Sequence, residues 1–268
     1  MMRIVACLLM TGMAGLSVYA QEEKPVNTYT RVALWQVPRT KWTDFVDYFA
    51  KYDKPVMDQL FKDGVITEWG IDSNTIHTAD GYTHSTWFSA TSMEKLESVW
   101  DAYDAYMKKL GDKESKAADA KFASMVTKHR DYMLKTEGMR AKATALTKNG
   151  YWKAAYFRIK SGEWQDFESY YSARVKPVYE ALMTQGTIIA YGVTGEAIVT
   201  EEPNGVTIWY ITPDAAGLDK ADAAFDEDWG KIEKEDRRAR RASIQTFYEE
   251  GSVREFLTKM EHYQIADM

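Results

Sequence analysis

The chain has 268 residues, 34 Lys and Arg against 40 Asp and Glu, a formal net charge of −6 and a single cysteine. A mildly acidic chain has no general attraction for a phosphate backbone or an anionic bilayer, which argues against nucleic acid or a membrane surface as the main partner. The only cysteine, Cys7, lies close to the N-terminus, so the rest of the chain forms no disulfide and offers neither a thiolate nucleophile nor a Cys-ligated metal site.

The first residues, Met1-Met2-Arg3, precede an uncharged run from Ile4 to Leu16 and then Ser17-Val18-Tyr19-Ala20. A basic start, a short apolar run and small residues at Val18 and Ala20 are the parts of a secretory signal peptide, residues 1–20, cleaved after Ala20. The run falls short of the ~20 apolar residues that span a bilayer, so no stable membrane insertion is expected after cleavage. The expected product is periplasmic or secreted, with room for one large domain or two small ones.

Val32–Val37 is short, rich in β-branched and aromatic residues, and reads as a strand. Trp42, Phe45, Phe49, Tyr52, Val56 and Leu60 recur at steps of three or four and predict an amphipathic helix, ended by Gly64. Pro55 falls inside that helix, where a missing N–H and a ring clash predict a bend. Val65–Asp72 and Tyr82–Ala90 form a hairpin around Asp80-Gly81. A capping box, Thr91-Ser92-Met93-Glu94, then opens a helix carrying Leu96, Trp100, Tyr103 and Met107 on one face.

The same series follows again at an offset of about 122 positions. Trp42, Asp44, Phe45 and Tyr48 fall on Trp164, Asp166, Phe167 and Tyr170, and Lys54-Pro55-Val56 falls on Lys176-Pro177-Val178. Without a gap, fifteen of the fifty-eight aligned positions between Arg31–Phe88 and Lys153–Tyr210 are identical, more than chance gives. The join is Thr147-Lys148-Asn149-Gly150, which divides the chain into units 27–146 and 150–268. Each unit ends in a charged tail, Lys113–Ala145 and Glu233–Met260, whose composition predicts helix. Arg237-Arg238 and Arg240-Arg241 follow Glu233, Glu235 and Asp236, the pattern of a solvated helix face.

The order strand, helix, strand, strand, helix, with Lys-Pro in the first helix, then Gly64 or Gly186, then Trp69-Gly70 or Tyr191-Gly192, resembles the dimeric α+β barrel superfamily. Within it the likeness is to NIPSNAP-like and EthD-like modules, over residues 30–100 and 151–229. The resemblance implies an α+β chain of two tandem ferredoxin-like βαββα units forming one pseudo-dimeric barrel, with extra charged C-terminal helices, and a monomer because the pairing is intramolecular. Its members include small oxygenases and isomerases, some haem-dependent. Elementary packing agrees, because a sheet covered by helices on one face must bury its other face, and a second sheet can do so.

Alternation along the first strands separates two faces. Ala33, Trp35 and Val37, with Ala155, Phe157 and Ile159, are uniformly apolar and suit a helix layer. Val32, Leu34 and Gln36, with Ala154, Tyr156 and Arg158, mix apolar and polar groups and suit either a ligand-holding interior or a solvated rim. Gln36, Tyr156 and Arg158 are therefore candidate ligand-binding residues. His84 and Glu68 are candidates of a second kind, as a histidine and carboxylate on adjacent strands, and His84 is also a candidate haem ligand. His77, Asp80 and His84 share one hairpin but lack a diagnostic metal spacing. Lys54, Lys176, Tyr48 and Tyr170 occur in both copies, as scaffold residues would. The sequence lacks a phosphate-binding glycine loop, a GxSxG elbow, an HExxH helix and an EF-hand loop. Three readings remain open. They are a binding module for a small apolar or aromatic ligand, a small oxygenase or isomerase, and an interaction scaffold with a filled barrel.

Overall fold

A computed structural model describes residues 26–77, 81–143, 149–200 and 203–268. The signal-peptide segment, Asp80, and Thr147 and Lys148 of the join lie outside the described residues.

The first half contributes β1 (Val26–Gln36), β2 (Glu68–Asn74), β3 (His84–Ala90) and β4 (Lys128–Ala141). The second contributes β5 (Tyr151–Arg158), β6 (Ala190–Glu196), β7 (Gly205–Thr212) and β8 (Arg254–Ile265). All eight join one closed antiparallel barrel in the order β1, β3, β2, β8, β5, β7, β6, β4. Each half therefore has the internal order 4-1-3-2, and the halves meet where β2 pairs with β8 and β4 with β6. Closure leaves neither sheet an unpaired edge.

Among the described residues, eight α-helices cover the outside. They are α1 (Trp42–Tyr48), α2 (Lys54–Lys62), α3 (Met93–Leu110) and α4 (Asp112–Ala123) in the first half. In the second half they are α5 (Trp164–Tyr170), α6 (Lys176–Thr184), α7 (Ala215–Gly230) and α8 (Lys234–Phe247). Phe45, Phe49, Val56, Met57 and Leu60 pack on Val37, Trp69, Ile71 and Phe88 of the sheet. Each such side chain removed from water contributes about 1.5–3 kcal/mol before entropy is charged against it. Gly64 and Gly186 end these helices at φ +68° and +71°, the left-handed conformation that glycine adopts without strain.

The proline bend takes a specific form. A π-helical turn, Phe49–Asp53, separates α1 from α2, and another, Tyr171–Val175, separates α5 from α6. Pro55 and Pro177 then stand in the first turn of α2 and α6, where a proline's missing N–H costs little. The wider turn relieves the clash, so the helix continues across a position that would otherwise break it.

The charged tails differ from expectation. Only their first parts are helical, in α4 and α8, while the remainder forms β4 and β8, two of the longest strands. Each half is thus a βαββα series followed by one more helix and a fourth strand, and the expected unit lacked that strand. The face of α3 also differs: its buried residues are Leu96 and Val99, with Trp100 41% exposed, and its cap is Ser92, whose Oγ accepts from Lys95 N. In the basic run, Arg240 pairs with Asp228 at 3.0 Å and lies over the Trp229 ring, so it serves helix packing.

Candidate functional site: the barrel interior

Register decides which side chains share the lumen. Thr30, Val32 and Leu34 of β1 stand opposite Ser89, Trp87 and Ser85 of β3, which in turn stand opposite Glu68, Gly70 and Asp72 of β2. On the second half, Ala154 and Trp152 stand opposite Phe256 and Thr258. The alternate residues Trp35, Trp69 and Phe88 belong to the helix layer, as do Phe157 and Ile159.

One end of the lumen is packed solid. Met139, Ala141, Ala154, Ala190, Ile211, Met260, Tyr263 and Ile265 form one buried cluster, none more than 3% exposed. Aromatic rings reach it by lying across glycines. A Cβ on Gly70 would fall 2.5 Å from Trp87 Cζ2, and one on Gly192 would fall 2.8 Å from Trp209 Cζ2. The other end, toward the C-termini of β1 and β5, is open. Val32, Leu34, Tyr132, Leu134 and Tyr156 are half-buried there, as is Trp87 between the two ends, and Phe256 is 45% exposed although its strand position faces the lumen.

At the floor of this open half lies Asp72, 4% exposed. Ser85 Oγ donates a short hydrogen bond to its Oδ1, and Trp87 Nε1 donates to Oδ2 at 3.2 Å. Burial pushes the Asp72 carboxyl up to about 7, and the Ser85, Trp87 and Thr258 groups only partly offset this. Glu68 lies on the same face four residues earlier, at the packed end. It is likewise pushed up to about 7 by burial, with the Ser89 hydroxyl as its partner. Ser89 Oγ in turn shares a hydrogen bond of 2.7 Å with Thr30 Oγ1.

The sequence candidates fall in three places. Gln36 on β1 and Tyr156 and Arg158 on β5 all lie toward the open end, on strands at opposite sides of the barrel. Gln36 Oε1 accepts from Thr127 Oγ1 at 3.0 Å, Arg158 pairs with Glu249 at 2.8 Å, and the Tyr156 ring lies against Gly205. Glu68 faces the lumen at the packed end. His84 is on the opposite face of the sheet, in the helix layer, so Glu68 and His84 form no acid–base pair. The His84 ring is 2% exposed and packs against Phe45 at 5.1 Å and Trp42 at 5.8 Å, with Nδ1 2.9 Å from Thr83 Oγ1. Burial lowers its pKa to about 4, which keeps it neutral. Enclosed in this way, the ring has no open face toward a macrocycle, and the site does not fit a haem ligand. No group of three or more His, Cys, Asp or Glu with metal-binding geometry occurs among the described residues. A separate open cleft of about 400 Å³ lies outside the rim, lined by residues including Gln36, Trp42, His77 and Thr127.

Asp72 escaped sequence reasoning, although the offset between the copies carried a signal. Asp72 falls on Thr194, and Glu68 on Ala190, so these two buried carboxylates are places where the copies differ.

No protein-family model matches the chain, and no curated protein matches it. Solved structures do. A protein provisionally assigned as a monooxygenase from Fusobacterium nucleatum subsp. nucleatum ATCC 25586 is 10% identical, with 90% of this chain and 96% of that one covered and a TM-score of 0.60. Another provisionally assigned monooxygenase, from Lactobacillus acidophilus NCFM, is 9% identical, with 90% and 98% covered and a TM-score of 0.57. At such identities the likeness shows the fold alone, an α+β chain with a closed eight-stranded antiparallel barrel.

Proposed function

We propose that the chain is a small-molecule-binding barrel that takes a largely apolar or aromatic ligand into the open half of its lumen. The observation that carries this reading is Phe256, a large apolar side chain at a lumenal position yet 45% exposed, with half-buried Val32, Leu34 and Tyr132 across the lumen on β1 and β4 and Tyr156 on the neighbouring β5. An apolar wall left accessible inside a barrel whose far end is packed is what a ligand pocket requires. The filled-scaffold reading accounts for the packed end and leaves the open one unexplained.

The test is a fluorescence titration with 8-anilinonaphthalene-1-sulfonate, in the wild type and in Leu34→Trp, which fills the open half. Saturable binding by the wild type, weakened about tenfold or more in the variant, supports the pocket. Equal binding by both would place the dye elsewhere and overturn the reading.

A second reading, a small oxygenase or isomerase, is favoured by Asp72, a carboxyl at the pocket floor able to exchange a proton near neutrality. We further infer export by the N-terminal segment. We also infer an origin in two tandem ferredoxin-like units of NIPSNAP-like or EthD-like kind, and a monomer whose two halves close the barrel within one chain. The matching 4-1-3-2 order of the halves supports the tandem origin.

A further inference from the structure

The two halves of the lumen are not chemically equivalent. At the floor of the open half, Thr194 in the second half has a filled hydrogen-bond complement, accepting from Trp209 Nε1 at 2.7 Å and lying 2.8 Å from Thr136 Oγ1. Its counterpart Asp72 accepts from Ser85 and Trp87, one donor to each oxygen. An ionised carboxylate has about four lone-pair sites, so capacity remains on both oxygens. Beside it stands Thr258, 4% exposed, whose Oγ1 helps stabilise the ionised Asp72 carboxyl but meets no partner at full hydrogen-bonding geometry. A buried hydroxyl held this loosely keeps capacity for a further partner in the lumen.

We propose that Asp72 and Thr258 form a hydroxyl-recognition site, in which a ligand's hydroxyl donates to the Asp72 carboxylate and accepts from Thr258 Oγ1. A hydroxyl group is both donor and acceptor, and these two side chains offer the complementary pair. Ser85 and Trp87 hold the carboxylate in place from the other side, which makes them positioning residues. The ligand class is a compact alcohol or phenol with an apolar body, since Leu34 stands at the level of Asp72 in the strand register and Val32 and Trp87 stand one pair deeper.

This inference rests on the open half being a ligand pocket, and the experiment separates the two claims. The probes are 2-naphthol and its ether 2-methoxynaphthalene, which has the same ring system and no donor, each titrated calorimetrically into the full chain. Wild type is expected to bind the naphthol roughly tenfold to a hundredfold more tightly than the ether, as a hydrogen bond to a charged group allows. Asp72→Asn and Thr258→Val are each expected to reduce that preference while leaving ether binding in place. Thr258→Val keeps the carboxylate and the shape, so it reads the site even if Asp72→Asn fails to fold. Equal affinity of the wild type for both probes, or a preference that survives both substitutions, overturns the recognition site and leaves the pocket standing. Failure to bind either probe overturns both.

Discussion

The Trp87 ring lies across Gly70 of the neighbouring strand, so close that a Cβ there would meet Cζ2 at 2.5 Å and Cε2 at 2.8 Å. Trp209 covers Gly192 in the same way, with Thr136 Cγ2 at 2.9 Å on the other side. Glycine here makes room for an indole inside the lumen, and the ring's N–H is directed to Asp72 in one half and Thr194 in the other. Gly70→Ala and Gly192→Ala should each destabilise the fold by about 1–3 kcal/mol, the usual cost of overpacking a tight site. Gly192→Ala should cost more, because Trp209 is 6% exposed whereas half-buried Trp87 has room to yield. Urea denaturation measures both, and an unchanged midpoint for Gly192→Ala would contradict this packing.

The pH dependence of stability follows from Asp53, Glu68, Asp72 and His84. All three carboxyls are raised to about 7 in the folded chain by burial, so between about pH 4 and 7 the folded state holds protons that the unfolded state has released. Their contribution is fully present below the unfolded pKa and is lost as pH rises through 7. His84, lowered to about 4, acts in the opposite sense, favouring the folded state as pH rises from about 4 to 6.5. Of these four groups, three oppose one, so acidification from pH 7.5 to 5.5 should raise the melting temperature. In Glu68→Gln that rise should be visibly smaller, and a curve parallel to wild type would remove Glu68 from the account.

Pro55 gives a sharper test of the π-helical turn. In an uninterrupted helix, replacing an interior proline would gain about 3 kcal/mol. Because Phe49–Asp53 already widens and Pro55 sits in the first turn of α2, Pro55→Ala should instead lose up to about 1 kcal/mol, through greater freedom of the unfolded chain. A large gain in stability would mean that the turn is strained by the proline.

Much of this architecture could be read from the sequence where the hydrophobic period was clean. The first strands, the Trp42–Leu60 and Trp164–Leu182 helical stripes, their glycine stops and the two hairpins carry periods of two or of three to four, and they form as expected. β4 and β8 did not show themselves. Lys128-His129-Arg130-Asp131 has the composition of an exposed helix, and the alternation of Tyr132, Leu134 and Thr136 behind it is short. In β8 a bulge at Glu261 breaks the alternation between Met260 and Tyr263. The candidate site was half legible for a related reason. Alternation assigns faces within one strand, which placed Gln36, Tyr156 and Arg158, but only cross-strand register reveals that Glu68 and His84 project from opposite faces of the sheet. Asp72 closes its strand pattern as one more polar residue, and only its lumenal neighbours give it chemical meaning.

Because β8 pairs with both β2 and β5, removing residues 254–268 should open the barrel along two ladders at once. The truncated chain is expected to lose cooperative unfolding and to aggregate through the exposed edges. A truncated chain that stays monomeric and melts in a single transition would show that the halves hold together without closure.

The most direct test of the open lumen is a crystal structure of the full chain grown with 2-naphthol. The account predicts electron density for the ring system among Trp87, Leu34 and Phe256, with its hydroxyl within hydrogen-bonding distance of Asp72. Density confined to the outer surface, or a lumen filled to the rim by the chain's own side chains, would contradict it.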